Sequence, residues 1–113
     1  VLSNSNEMRL PLRWIAILYG RVQASLALTT GIHTAEDAVK AIMAGADIAN
    51  VCSALLENGP SYVTQLVRGF GEWMEAHEYE SVAQMRGALS QRNVAEPAAF
   101  ERANYMKILN SWK

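Results

Sequence analysis

The sequence predicts an α/β fold built on parallel strands. Three observations in residues 24–60 predict it: two short apolar runs, a helix capped at both ends between them, and a glycine where the first run stops. The first run, residues 24–30 (ASLALTT), is short enough for a strand, and Gly31 follows where the backbone must take positive φ or approach a neighbour closely. Thr34 then stands as an N-cap with Asp37 three residues on, and Glu36 and Asp37 place negative charge in the first turn, where the helix dipole favours it. Ala35, Ala38, Val39, Ile42 and Met43 recur at three-and-four spacing as one buried stripe, and Gly45 sits where a left-handed C-cap is wanted. Asp47 leads into residues 48–52, a second strand-length run that continues through residues 53–56 into a turn before Gly59-Pro60. A helical crossover between consecutive strands makes them parallel, so both end at one rim with the backbone of residues 31–32 beside that of residues 52–54. In (β/α)₈ barrels the loops after strands seven and eight form a recurrent phosphate site. The fold class is therefore the C-terminal portion of a TIM (β/α)₈ barrel, its last two βα units plus the preceding helix, followed by extra C-terminal helices.

The flanking elements are helical. Ser3, Asn4, Ser5 and Asn6 form a polar loop offering several N-caps, and a helix runs from about Met8 or Leu10 to Tyr19, with Pro11 tolerated in its first turn and Gly20 ending it. Leu10, Leu12, Trp14, Ile15, Ile17 and Leu18 give that helix a wide apolar surface. Pro60 opens the next helix, whose core stripe is Val63, Leu66, Val67, Phe70 and Met74, through Ala76. Gly69 and Gly71 weaken its interior by roughly 1 kcal/mol each, a cost that close helix packing would explain. Ser81 starts a short helix with a capping box on Gln84, through about Leu89, and Pro97 begins a last helix to about Leu109, with Lys107 near its negative end. The domain division is residues 1–79 for the barrel part and residues 80–113 for a helical extension.

The 113 residues carry a net charge of −1 and are 50% hydrophobic, which is ordinary for a soluble domain but far short of the roughly 250 residues of a typical barrel. The chain opens on Val with no signal peptide, so it is expected to be the C-terminal fragment of a longer chain. No window approaches the roughly 18 apolar residues of a membrane helix. The scattered charges leave no footprint for nucleic acid. The single cysteine, Cys52, is expected to be buried at a strand end, which fits a reducing cytoplasm.

Across roughly residues 2–76 the sequence resembles the FMN-dependent dihydroorotate dehydrogenases. The resemblance is carried by Thr30-Gly31-Ile32, Glu36-Asp37-Ala38, Ala44-Gly45-Ala46, Cys52-Ser53-Ala54-Leu55, Gly59-Pro60 and, upstream, Leu10-Pro11-Leu12-Arg13. It implies that Gly31, Cys52 and Ser53 hold the phosphate of FMN. Two positions depart from the family pattern: Thr30 replaces the usual first glycine of the loop, which should stiffen it, and Cys52 stands where Tyr or Gly is common. The resemblance further implies an oxidoreductase converting dihydroorotate to orotate in pyrimidine synthesis, with the flavin supplying the redox chemistry. The family's catalytic base and substrate asparagines lie on earlier strands, so no catalytic residue is assigned here. Two other readings stand beside it: a non-catalytic barrel fragment serving in binding or assembly, and another phosphate-binding barrel enzyme, since the motif reports phosphate rather than flavin.

The remaining polar residues have plainer readings. His33 is expected as a solvent-facing flank of the helix, His77 as a dipole partner at a helix end, and Arg13 as a surface or interface ion-pair residue. Residues 3–6 lie where the family's sixth loop reaches the cofactor, although such a run is ordinarily a loop with caps. Trp73 and Trp112 are expected to pack, and no His, Cys and acid cluster has metal spacing. Two strands with open edges imply that the chain pairs with another copy or with the remainder of a parent chain.

Overall fold

In a computed structural model, which describes residues 2–93, the chain is mostly helical around two short parallel strands. It enters through a 3₁₀ turn, Ser5–Met8, whose start is closed by Asn6 N–H donating to Asn4 Oδ1 (3.0 Å) and Asn4 N–H donating to Glu7 Oε2 (2.9 Å). Helix α1 (Arg9–Leu18) follows directly, with Pro11 in its first turn, and Tyr19 N–H closes it on Ile15 O before Gly20 turns the chain away. It buries Ile15, Ala16 and Ile17, but Leu10 and Trp14 stay 60% and 50% exposed, so the wide apolar surface read from the sequence is only partly covered.

Strands β1 (Ala27–Leu28) and β2 (Ile48–Ala49) pair in parallel, Ala27 opposite Ile48 and Leu28 opposite Ala49. Both are shorter than the apolar runs that contain them. Ladder bonds form only where the two backbones run side by side, from Ile48 N–H to Leu26 O (3.2 Å) and from Asn50 N–H to Leu28 O (2.9 Å). Asp47 fixes the entrance of the pair, its Oδ2 accepting from Leu26 N–H at 2.8 Å.

Helix α2 (Ala35–Ala44) joins the strands and carries the predicted caps. Thr34 Oγ1 accepts from Asp37 N–H (3.1 Å), Asp37 Oδ2 accepts from Thr34 N–H (3.2 Å), and Gly45 ends the helix at φ +129°. The helix lies in the middle of the structure and buries two flanks rather than one stripe. Ala41 and Ala44 face Met8, Ile15, Ala16, Leu28, Ile32 and Ala46, while Val39 and Ile42 pack with Met85 and the half-buried Phe70, Trp73 and Met74.

Beyond β2 the structure departs from the sequence reading. Residues 53–58 do not prolong the strand run; they form a helix, α3 (Ser53–Asn58), with the N–H groups of Leu55 and Leu56 bonded to Cys52 O. Ladder pairing ceases at Asn50, and Ala-Leu-Leu-Glu favours a helix once no strand holds it extended. Helix α4 (Tyr62–Ala76) begins two residues after Pro60, because Gly59 and Pro60 form a turn whose carbonyls accept from Tyr62 and Val63.

The expected core stripe of α4 is only partly realised: Phe70 and Met74 pack against Val39, Ile42 and Met85, but Val63 and Val67 do not reach a core. None of the stripe's residues is fully buried; Val63 and Val67 are 44% and 67% exposed, and only Leu66, Phe70 and Met74 are partly covered. The helix packs on α2 and α3, which cover one side of it. Gly69 does mark a close approach: a Cβ there would lie 2.7 Å from Ala35 Cβ, whereas at Gly71 it would meet open space.

Helix α5 (Val82–Met85) is capped by Ser81, whose Oγ accepts from Gln84 N–H, and Gln84 Oε1 in turn accepts from Glu80 N–H. It stops at Met85 instead of reaching about Leu89. The N–H groups of Gly87 and Leu89 donate to Ile42 O (3.0 Å) and Met43 O (2.8 Å), so tertiary bonds to the end of α2 replace further helical turns. A 3₁₀ turn, Gln91–Asn93, ends the described chain. The helix expected from Pro97, with Lys107 and Trp112, lies outside the described residues. Among the described residues no helix is long and apolar enough to cross a membrane.

Candidate functional site

Where β1 and β2 end, their loops and the N-terminal segment enclose a cleft of about 220 Å³ lined by Ser3, Thr29, Thr30, Gly31, Ile32, Asn50, Cys52 and Ser53. All three residues marked in the sequence, Gly31, Cys52 and Ser53, therefore come together. The parallel pairing brings them there, because it carries the two strand ends to one side of the sheet.

The loop between β1 and α2 has an unusual backbone. Gly31 takes φ +88°, and a Cβ on it would lie 2.7 Å from Met8 N and 2.9 Å from Asn4 O. Only glycine meets both demands. Thr30 beside it takes φ +83° although its side chain is β-branched. The threonine thus occupies a conformation that favours glycine, and the loop holds backbone strain there.

The lining is mostly polar and uncharged: four hydroxyl-bearing residues, Ser3, Thr29, Thr30 and Ser53, with Asn50, Cys52, the Gly31 backbone and one apolar residue, Ile32. Among the described residues it contains neither a carboxylate to repel an anion nor a cation to bind one by charge alone. Its binding capacity rests on hydrogen-bond donors.

Ser3 ties the parts together. Gly31 N–H donates to Ser3 Oγ (3.3 Å), Ser3 N–H donates to Ser53 Oγ (3.1 Å), and the two hydroxyl oxygens lie 3.0 Å apart. The polar run at residues 3–6 is thus both a capping loop, through Asn4, and a wall of the cleft, through Ser3. Ser5 Oγ donates to Asp37 Oδ2 (2.7 Å), which also accepts from His33 N–H (3.0 Å), so a buried carboxylate joins the N-terminal segment to the loop after β1.

Two readings of single residues are corrected. Cys52 is exposed, because it stands at the N-cap of α3 with φ −131° and ψ −64° rather than inside a strand. His33 is not a solvent-facing flank: its side chain is 16% exposed and Nε2 lies 2.6 Å from Ser3 O. His77 ends α4 as read, with Nδ1 2.9 Å from Trp73 O and its ring stacked on Trp73 at 3.9 Å. Arg13 is half-buried on α1, away from the cleft. Thr29 and Asn50 were not marked in the sequence, yet alternation along the strands places them on the same face as Ala27 and Ile48, a signal that could have found them. Among the described residues no group of three His, Cys, Asp or Glu side chains is placed to hold a metal ion.

Comparison with known proteins returns the family that these motifs resemble. The chain is 36% identical over 86 residues to a dihydroorotate dehydrogenase (quinone) of Rhodospirillum rubrum, a match covering 70% of this chain and 23% of the relative. It is 32% identical over 80 residues to the dihydroorotate dehydrogenase (quinone) of Streptomyces griseus, covering 69% and 22%. The chain is dihydroorotate dehydrogenase-like. A dihydroorotate dehydrogenase A (fumarate) of Lactococcus lactis is 27% identical over 77 residues, covering 66% of the chain and 25% of the relative. This dihydroorotate dehydrogenase-like chain thus spans about a quarter of the length of the curated relatives it matches. No family model matches it.

Proposed function

We propose that this chain supplies the phosphate-binding end of an FMN-dependent oxidoreductase, one that oxidises dihydroorotate to orotate in pyrimidine biosynthesis. The observation that carries the reading is the convergence of Gly31, Cys52 and Ser53 on one cleft at the ends of two parallel strands, in a chain whose relatives are dihydroorotate dehydrogenases. In this reading β1 and β2 are the last two strands of a (β/α)₈ barrel, and the remainder of a parent chain or another copy supplies what lies beyond their open edges. A cytoplasmic setting belongs to the same reading, and the free thiol of Cys52 suits a reducing compartment.

The residues present fit the phosphate of FMN. A cleft of about 220 Å³ is smaller than the roughly 300–1,000 Å³ of pockets that engulf a whole small ligand. It suits one end of a cofactor. The Gly31 N–H and the Ser3 and Ser53 hydroxyls are turned on one another across the cleft, so a phosphate oxygen would replace the long 3.3 Å bond between Gly31 and Ser3 with charge-assisted ones. Bound there, FMN would supply hydride-accepting chemistry. This chain's residues would fix its phosphate end and leave the reacting ring to groups elsewhere.

The test is made on the protein to which this chain belongs. Purified and supplied with FMN, it should show flavin absorbance and reduce it with dihydroorotate. A protein that takes up no flavin contradicts the reading, and one that binds FMN without reacting with dihydroorotate contradicts the substrate.

A further inference from the structure

The imidazole of His33 lies between the cleft and the helices behind it. Nε2 lies 2.6 Å from Ser3 O. A carbonyl has no proton to give, so Nε2 carries the hydrogen and donates. Nδ1 lies 3.7 Å from Glu57 Oε2 on α3. The backbone is also held: His33 N–H donates to Asp37 Oδ2 (3.0 Å), and His33 O accepts from the Tyr62 hydroxyl of α4 (2.8 Å). The backbone bonds, to α2 and α4, fix where the ring starts and the Nε2 bond fixes its far end, while Glu57 at 3.7 Å is beyond hydrogen-bond reach of Nδ1.

What this ring holds is Ser3. The Ser3 carbonyl is bound by His33, its N–H by Ser53 Oγ, and its Oγ reaches Gly31 N–H and the Ser53 hydroxyl. Ser3 is flanked by an exposed Leu2 and by an exposed Asn4 whose capping bonds are local, to Asn6 and Glu7, so the Ser3 carbonyl needs an anchor from elsewhere in the fold. The His33 bond supplies that anchor. We propose that His33 is a positioning residue for the cleft: it acts through the Ser3 carbonyl to set the Ser3 hydroxyl against Gly31 and Ser53, and so holds in place the donors that receive an anionic phosphate group. The proposal rests on the reading of the cleft as a phosphate site, but its geometry is present in the ligand-free chain.

Two measurements on the protein to which this chain belongs separate the two ideas. The first is amide hydrogen exchange of the free protein, read by NMR at Gly31. The second is titration with FMN, read by flavin fluorescence. His33→Ala should speed exchange at Gly31 and weaken FMN binding about tenfold, equivalent to losing one good hydrogen bond to a charged group. His33→Gln should restore both, because its side-chain amide can reach the Ser3 carbonyl, and the shorter His33→Asn should not. The Gln and Asn pair decides the matter if His33→Ala does not fold. Exchange at Gly31 that is unchanged in His33→Ala, or the same in the Gln and Asn variants, overturns the positioning role. If the wild type binds no FMN while exchange responds as described, the positioning role stands and the phosphate reading falls.

Discussion

The hydroxyl oxygens of Ser3 and Ser53 lie 3.0 Å apart although 50 residues separate them in sequence. Through this contact the N-terminal segment closes on the loop after β2, and the bond from Gly31 N–H to Ser3 Oγ closes it on the loop after β1. The cleft is therefore a three-way junction.

Ser3→Ala is expected to weaken FMN binding by about three- to tenfold and to cost about 1 kcal/mol of stability, since it removes one hydroxyl that serves two partners. It is a cleaner probe than Gly31→Val. Gly31 sits at φ +88° against Met8 and Asn4, so a side chain there disturbs folding as well as binding. Flavin titration beside urea denaturation of Ser3→Ala checks the prediction; unchanged affinity would remove Ser3 from the site.

Thr30→Gly is expected to stabilise the chain. A residue with a Cβ pays about 1–2 kcal/mol in the left-handed region, and Thr30 is there at φ +83°. Glycine costs about 0.5–1 kcal/mol of extra unfolded-chain entropy, which leaves a net gain of about 0.5–1 kcal/mol. A lower denaturation midpoint for Thr30→Gly would show that the threonine side chain makes contacts that outweigh the strain.

The two glycines of α4 should answer oppositely to alanine. Gly71→Ala meets open space and gains helix propensity, for about 0.5–1 kcal/mol of stabilisation. Gly69→Ala places a methyl 2.7 Å from Ala35 Cβ and forces α2 and α4 apart, for a net loss of about 1 kcal/mol. Thermal unfolding of the two variants side by side tests this, and equal shifts would contradict it.

The parts of the fold legible in the sequence were those set by local chemistry or by a rule of chain connection. Thr34 and Asp37 cap α2 through bonds three residues apart, and Gly45 ends it. The meeting of Gly31, Cys52 and Ser53 followed from the parallel crossover. What the sequence hid depends on distant partners. The exposure of Val63 and Val67 reflects what does not cover α4, and an apolar stripe looks the same whether or not something lies against it. His33 looked like a flank because its partners, Ser3, Glu57 and Tyr62, lie 24 to 30 residues away. The helix at residues 53–58, with the exposure of Cys52, turned on where ladder pairing stops.

Self-association, or association with the remainder of a parent chain, is the expected fate of the open sheet. Among the described residues β1 and β2 pair only with each other, so the outer edge of each presents unpaired backbone groups, and Ile48 is 52% exposed beside them. Val63 and Val67 add an uncovered apolar flank. Sedimentation of the chain at micromolar concentration should show dimers or larger species; a compact monomer that unfolds cooperatively would contradict this.

The most direct test of the central claim compares FMN with riboflavin, which carries the same ring and ribityl chain but no phosphate. If the cleft between Gly31 and Ser53 grips the phosphate, FMN should bind the protein at least tenfold more tightly than riboflavin, a difference of about 1.4 kcal/mol, and inorganic phosphate should compete. Equal binding of the two flavins, or binding of neither, would contradict it.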